Sequence, residues 1–155
     1  MKKLFILSLI MFATGCVSTY KMADSSNAAL VEVPSQEFDF QLLGGTSSRY
    51  VFIGDIDESG CLSNKARVEP ESLRQDGKLA IATDKEVGIM VAANIGNSIC
   101  SIGVAVKLKP NGQYKANFGM GSKLCGFDLY KLEGTKTSKV ELTQLYQGSL
   151  SMCKK

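Results

Sequence analysis

Cys100-Ser101-Ile102-Gly103-Val104-Ala105-Val106-Lys107-Leu108-Lys109, then Pro110-Asn111-Gly112, then Gln113-Tyr114-Lys115-Ala116-Asn117-Phe118 is the stretch that decides the fold. Apolar residues recur at every second position, the period of a half-buried strand. Ile102, Val104, Val106 and Leu108 share one face, and Tyr114, Ala116 and Phe118 share another after the break. Directly opposed residues in a hairpin lie on one face of the sheet. A two-residue Asn111-Gly112 turn sets Leu108 against Lys115 and violates that rule. A three-residue Pro110-Asn111-Gly112 loop sets Leu108 against Tyr114, Val106 against Ala116 and Val104 against Phe118. The expectation is therefore a hairpin, with Pro110 opening a type I turn and Gly112 taking the left-handed position.

The same two-residue period runs through much of the remaining chain. Phe38, Phe40 and Leu42 alternate with Asp39 and Gln41 before Gly44-Gly45. Residues 50–53 are apolar on both faces, as in a strand covered on both sides. Leu79 and Ile81 mark another strand, Val87, Ile89 and Val91 the next, and 139–145 a last one with Val140 and Leu142 facing in. Residues 28–33 carry a weak pattern for a short edge strand. Between 66 and 77 there is room for one helical turn, and no amphipathic helix of useful length occurs. The fold expected is all-β, an antiparallel sandwich of about seven to eight strands spanning residues 37–155. One domain of that size is long enough to bury a real core.

Five cysteines occur, at 16, 61, 100, 125 and 153. Cys100 is in phase with Ile102 and Val104, and Cys125 with Phe127 and Leu129, so both point inward. Cys100–Cys125 is then the favoured bridge of three connectivities, which leaves Cys61–Cys153. Paired cysteines imply an oxidising compartment. Free buried thiols are the alternative. A zinc site is disfavoured because there is no CxxC pair and no histidine at all.

The chain opens with Met1-Lys2-Lys3, an apolar run over 4–13, and Thr14-Gly15-Cys16. A basic start, an apolar centre and small residues before a cut describe a secretory signal peptide at 1–15. About ten apolar residues rise only ~15 Å as a helix, half of a ~30 Å hydrocarbon core, which argues against a membrane span. Ala13-Thr14-Gly15-Cys16 resembles the lipobox of bacterial lipoproteins. That resemblance implies cleavage before Cys16, a diacylglycerol on its thiol and an acylated amino end, a multi-chain anchor that holds stably. Residues 16–36, rich in serine and alanine, read as a flexible lipidated tether reaching about 25 Å. Val17 stands where a retention aspartate would favour the inner membrane, so the resemblance implies the outer membrane, facing the periplasm. Of 18 basic side chains, Lys2 and Lys3 leave with the signal, and 16 remain against 15 acidic ones. A near-neutral domain is not expected to bind nucleic acid.

Cys100, Pro110-x-Gly112-x-Tyr114 and Cys125, preceded by Thr83-Asp84-Lys85-Glu86 between two strands, resemble a group of small uncharacterised Gram-negative envelope lipoproteins. The likeness covers about residues 79 to 130 together with the lipobox. It implies a compact β-sandwich displayed from a membrane and transfers no catalytic residue.

Candidate chemistry is sparse. Asp55-Ile56-Asp57-Glu58-Ser59-Gly60 matches the opening of a calcium loop, with Asp55, Asp57 and Ser59 as oxygen donors. The twelfth position is Ala66 where a bidentate glutamate is needed, so a solvated turn is favoured. Gly119-Met120-Gly121-Ser122-Lys123 lacks the spacing and the following helix of a phosphate-binding loop. Without histidine the commonest general base is missing. No cofactor is expected beyond the lipid on Cys16. The expected role is non-enzymatic, structural or protein-binding in the envelope. The alternative is a periplasmic inhibitor or ligand-binding module acting on an envelope hydrolase.

Overall fold

The computed structural model describes residues 18–23, 26–34, 47–95, 98–120, 125–147 and 152–155. The protein is all-β. Its strands are β1 (Ser18–Thr19), β2 (Ala29–Glu32), β3 (Ser47–Ile56), β4 (Leu62–Arg67), β5 (Lys78–Ile81) and β6 (Val87–Ile95), followed by β7 (Ser98–Val106), β8 (Gln113–Met120), β9 (Cys125–Glu133), β10 (Lys136–Lys139), β11 (Thr143–Gln147) and β12 (Met152–Cys153). One turn of 3-10 helix, Pro70–Ser72, falls inside the 66–77 interval where a single turn is expected.

Seven strands form one sheet in the order β1-β4-β3-β6-β7-β11-β12, and five form a second in the order β10-β9-β8-β2-β5. Their facing sides make one core. Val51, Ile53, Val87, Ile89, Val91, Val104 and Val106 come from the first sheet. Ala29, Val31, Leu79, Ile81, Tyr114, Ala116 and Leu129 come from the second. Two sheets sharing one apolar interior are a sandwich. The apolar interior dominates the energetics: one buried Leu or Val is worth about 1.5–3 kcal/mol, whereas an exposed ion pair adds ~0–1 kcal/mol.

Four expectations need correction. There are twelve strands among the described residues, not seven or eight, and the pairing is mixed: β1 runs parallel to β4, and β2 parallel to β8. Residues 16–36 are not tether throughout. β1 pairs with the edge of the larger sheet, and β2 lies inside the smaller one with Ala29 and Val31 fully buried. The domain therefore starts before residue 37, and β2 is an interior strand rather than an edge. A four-residue strand whose partners lie 50 and 80 or so residues downstream leaves little local pattern, and parallel pairing leaves no turn to read. The 38–45 alternation lies outside the described residues.

The third correction concerns the opening stretch. β7 and β8 are not a hairpin. β7 pairs with β6 and β11, and β8 with β9 and β2, so the chain crosses from one sheet to the other at 107–112. The inward faces are as read, but Val104 and Tyr114 join one core from different sheets rather than along a shared ladder. The Gly112 amide donates to the Lys109 carbonyl at 3.0 Å, and the positive φ (56°) falls on Asn111, not Gly112. That suits a type II turn with proline second. Gly112 is needed for another reason: a Cβ there would come within 2.8 Å of the Tyr114 hydroxyl and 2.9 Å of the Lys109 carbonyl oxygen. The Tyr114 hydroxyl accepts the Lys109 amide at 2.9 Å. The Leu30 amide donates to Gly112 at 2.9 Å, tying the crossing to β2. The expected strand at 139–145 likewise divides. It splits into β10 and β11, and Val140 and Leu142 pack on the core as the chain crosses between sheets.

The larger sheet is buried on its outer face as well. Leu62, Ala105, Leu145 and Met152 form a second cluster there, with Ile56 and Met90 against it. Gly54 pairs with Gly88, and Gly88 with Ala105, so a row of minimal side chains crosses three strands. Leu62 lies over Gly54 and Gly88, and Met152 over Gly103, in space a Cβ would occupy. The β4 side of the sheet thus curls over to meet β12, and Cys61 bridges Cys153 in an antiparallel contact. That pair is disulfide-bonded with Cα atoms 3.9 Å apart, and Cys100 is bonded to Cys125 across the two sheets with Cα atoms 6.2 Å apart. Chain-entropy estimates for loops of 92 and 25 residues are about 4.6 and 3.5 kcal/mol.

Gly88→Ala should destabilise the protein by about 1–3 kcal/mol through overpacking against Leu62. Gly126→Ala, where a Cβ meets nothing within 4 Å, should not. Urea unfolding of the two variants, side by side, checks this.

Candidate functional site

Two recesses open on opposite long sides of the sandwich. The first, about 240 Å³, lies where β1 and β5 leave the sheets open. The N-terminal segment straps this side. β1 hydrogen-bonds to β4, the Tyr20 amide donates to the Arg67 carbonyl at 2.7 Å, and the chain then crosses to β5. There the Tyr20 hydroxyl (3.1 Å) and the Ala23 amide (3.2 Å) both donate to the Ala80 carbonyl. An otherwise open strand edge is thereby covered.

Asp55, Asn64 and Lys85 line the same recess with Tyr20 and Lys21. The register of β3 against β4 shifts between Ile53 and Asp55, and Asn64 has a positive φ of 48°. Such irregularities re-aim side chains. Here they bring the Asn64 amide 3.1 Å from Asp55 Oδ2, while Lys85 Nζ lies 2.6 Å from Oδ1. The hydrogen bond from Lys85, then that from Asn64, holds the Asp55 carboxyl below its ordinary range, and the same pairing raises Lys85. Burial, then repulsion from Asp55, pushes Tyr20 up to about 12. All three groups move away from neutrality, the reverse of what proton transfer near pH 7 requires.

The acidic turn next to it is self-contained. Asp57 Oδ1 accepts from the Ser59 amide (3.0 Å), the Ser59 hydroxyl (2.6 Å) and the Cys61 amide (2.9 Å). The hydroxyl first, then the Cys61 amide, lowers its pKa. Gly60, with φ of 76°, closes the turn. Asp55 faces Lys85 and Asn64 while Asp57 faces its own turn, so the calcium-loop residues Asp55, Asp57 and Ser59 do not converge. Among the described residues no group of three or more acidic or cysteine side chains is placed to hold a metal.

The second recess, about 490 Å³, lies on the far side, floored by Ile102, Val104 and Phe127 and walled by Val140 and Leu142. Its rim is charged: Lys139 Nζ lies 2.5 Å from Asp128, with Glu141 and Gln144 beside them. The crossing at 140–142 covers this side as the N-terminal strap covers the other, and the Val140 amide donates to the Leu129 carbonyl at 2.8 Å.

Sequence reading missed Tyr20, Asn64 and Lys85 as neighbours. A lone aromatic in a serine- and alanine-rich segment was the available signal for Tyr20. Cys16 lies outside the described residues, as do residues 121–123 of the glycine-rich 119–123 motif.

Because Tyr20 is raised above its ordinary value of 10.0, its contribution to stability is complete below pH 10 and lost as pH rises toward 12. Phenolate absorbance should show a late-ionising tyrosine that disappears in Tyr20→Phe, and alkaline unfolding should be displaced in the same variant. On the acid side Asp55 and Asp57 lie below their ordinary value of 3.8. Their contribution is complete above that pH and fades as pH falls through the lower folded-state values. The acid loss of Tm should be shallower in Asp55→Asn/Asp57→Asn than in the wild type. No family model, curated protein or solved structure matches this chain.

Proposed function

We propose that the protein is a lipid-anchored envelope protein, held at the outer membrane through Cys16 and facing the periplasm, with a non-enzymatic structural or protein-binding role. The observation that carries the reading is the Ala13-Thr14-Gly15-Cys16 stretch after a basic and apolar start. Two disulfides in the folded domain support an oxidising compartment. What supports binding over catalysis is that each recess holds a carboxylate already paired with a lysine, Asp55 with Lys85 and Asp128 with Lys139. Among the described residues, no helix is long and apolar enough to cross a membrane. On this reading the lipid does the anchoring and the loops and sheet faces do the binding.

A second reading, a periplasmic inhibitor or ligand-binding module for an envelope hydrolase, is favoured by one feature. The far recess is lined by core residues Ile102, Val104 and Phe127 beneath a charged rim, the apolar floor with polar edge typical of binding sites.

Mass spectrometry of the mature protein should find an acylated Cys16 as first residue. An unmodified Cys16 or a retained Met1 overturns the anchor. Cross-linking in intact envelopes then separates the two roles. A stoichiometric membrane assembly supports the first, and a single hydrolase whose capture is lost in Val140→Lys supports the second.

A further inference from the structure

β1 begins at Ser18, two residues after Cys16. We infer that the side formed by β1, β4 and the strap at 20–23 faces the membrane and rests on the phospholipid headgroups, so that the domain is held in one orientation. The inference rests on the lipid-anchor reading of Cys16.

Spacing carries it. Two fully extended residues span at most about 7 Å, and the interfacial layer of one leaflet is about 5–8 Å deep. A lipidated Cys16 at the base of that layer leaves no slack before the folded sheet. Ser18 is fixed there: it pairs with Ala66, its hydroxyl donates to the Lys65 carbonyl at 3.4 Å, and Tyr20 continues the ladder to Arg67.

The surface at that point suits a polar, anionic layer. Ser18, Thr19, Lys21, Asn64 and Lys65 are exposed, 18–23 and 62–67 contain no acidic residue, and the neighbouring Asp55 carboxylate is paired with Lys85 and Asn64. Lysines beside a membrane surface are drawn to anionic lipids. Met22, 40 % exposed, adds an apolar side chain to the same strap. At the other edge of the smaller sheet lies β10, where Lys136 is exposed.

The full acylated protein in phosphatidylethanolamine–phosphatidylglycerol vesicles tests this. Its lysines are labelled with an amine-reactive ester and mapped by peptide mass, with Lys115 and Lys136 as internal references. Lys21 and Lys65 should label several-fold less than the references. Inserting about ten glycine and serine residues between Val17 and Ser18, a coil of roughly 17 Å, should restore their labelling. A lipidated N-terminal peptide with Lys21 and Lys65 as reactive as Lys136 overturns this orientation alone. Protection that persists unchanged in the insertion variant also overturns it. An N-terminal peptide without lipid mass overturns the anchor itself, and the orientation with it.

Discussion

The seven-stranded sheet must bury both of its faces, and most of the architecture follows from that demand. Its inner face meets the five-stranded sheet over a continuous layer of Val, Ile and Leu. Its outer face carries Gly54, Gly88, Gly103 and Ala105, too small to make a core by themselves. Leu62 and Met152 supply the missing volume from the two flanks of the sheet, which obliges it to curl until they meet. Interiors tolerate neither voids nor overlap. The glycines and the large apolar residues are therefore one design, and the Cys61–Cys153 bridge fastens the curl where its flanks touch.

Sequence periodicity spoke clearly about faces and poorly about partners. Ile102, Val104, Val106, Leu108, Tyr114 and Ala116 all turn toward the interior, as alternation indicates. Alternation states which side of a strand is apolar; it does not state which sheet the strand joins. Across a sandwich, two inward faces meet as well as they do along a hairpin, so β7 and β8 satisfied the same parity from opposite sheets. For the same reason inward-pointing Cys100 and Cys125 reach one another across the interior, and the pairing drawn from their phase is the one in the structure.

The strap and the recess it covers were hidden for a different cause. Tyr20 and Ala23 act through hydrogen bonds to a carbonyl far along the chain, and Asn64 acts through a backbone irregularity. None of these leaves a periodic trace. β2 is hidden similarly, because a short interior strand flanked by distant partners looks locally like any small-residue segment. The turn chemistry of Asp57, by contrast, was visible as D-x-S-G, and its Oδ1 accepts from two of the turn's own amides and from the Ser59 hydroxyl.

The joining of Cys153 to Cys61 has a bearing on biogenesis. The bridge spans 92 residues, and the outer-face cluster includes Leu145 and Met152 from the last strands. β1 and β2, near the start, wait for β4 and β8 in turn. A chain made from its N-terminus cannot complete this sheet until Met152 and Cys153 are available. Topologies dominated by such distant pairings fold slowly and expose unpaired strands meanwhile. Residues 152–153 therefore close the outer face of the sheet. A chain without residues 152–153 lacks both the bridge and the Met152 lid, and Gly103 on the outer face of its largest sheet is left without that cover.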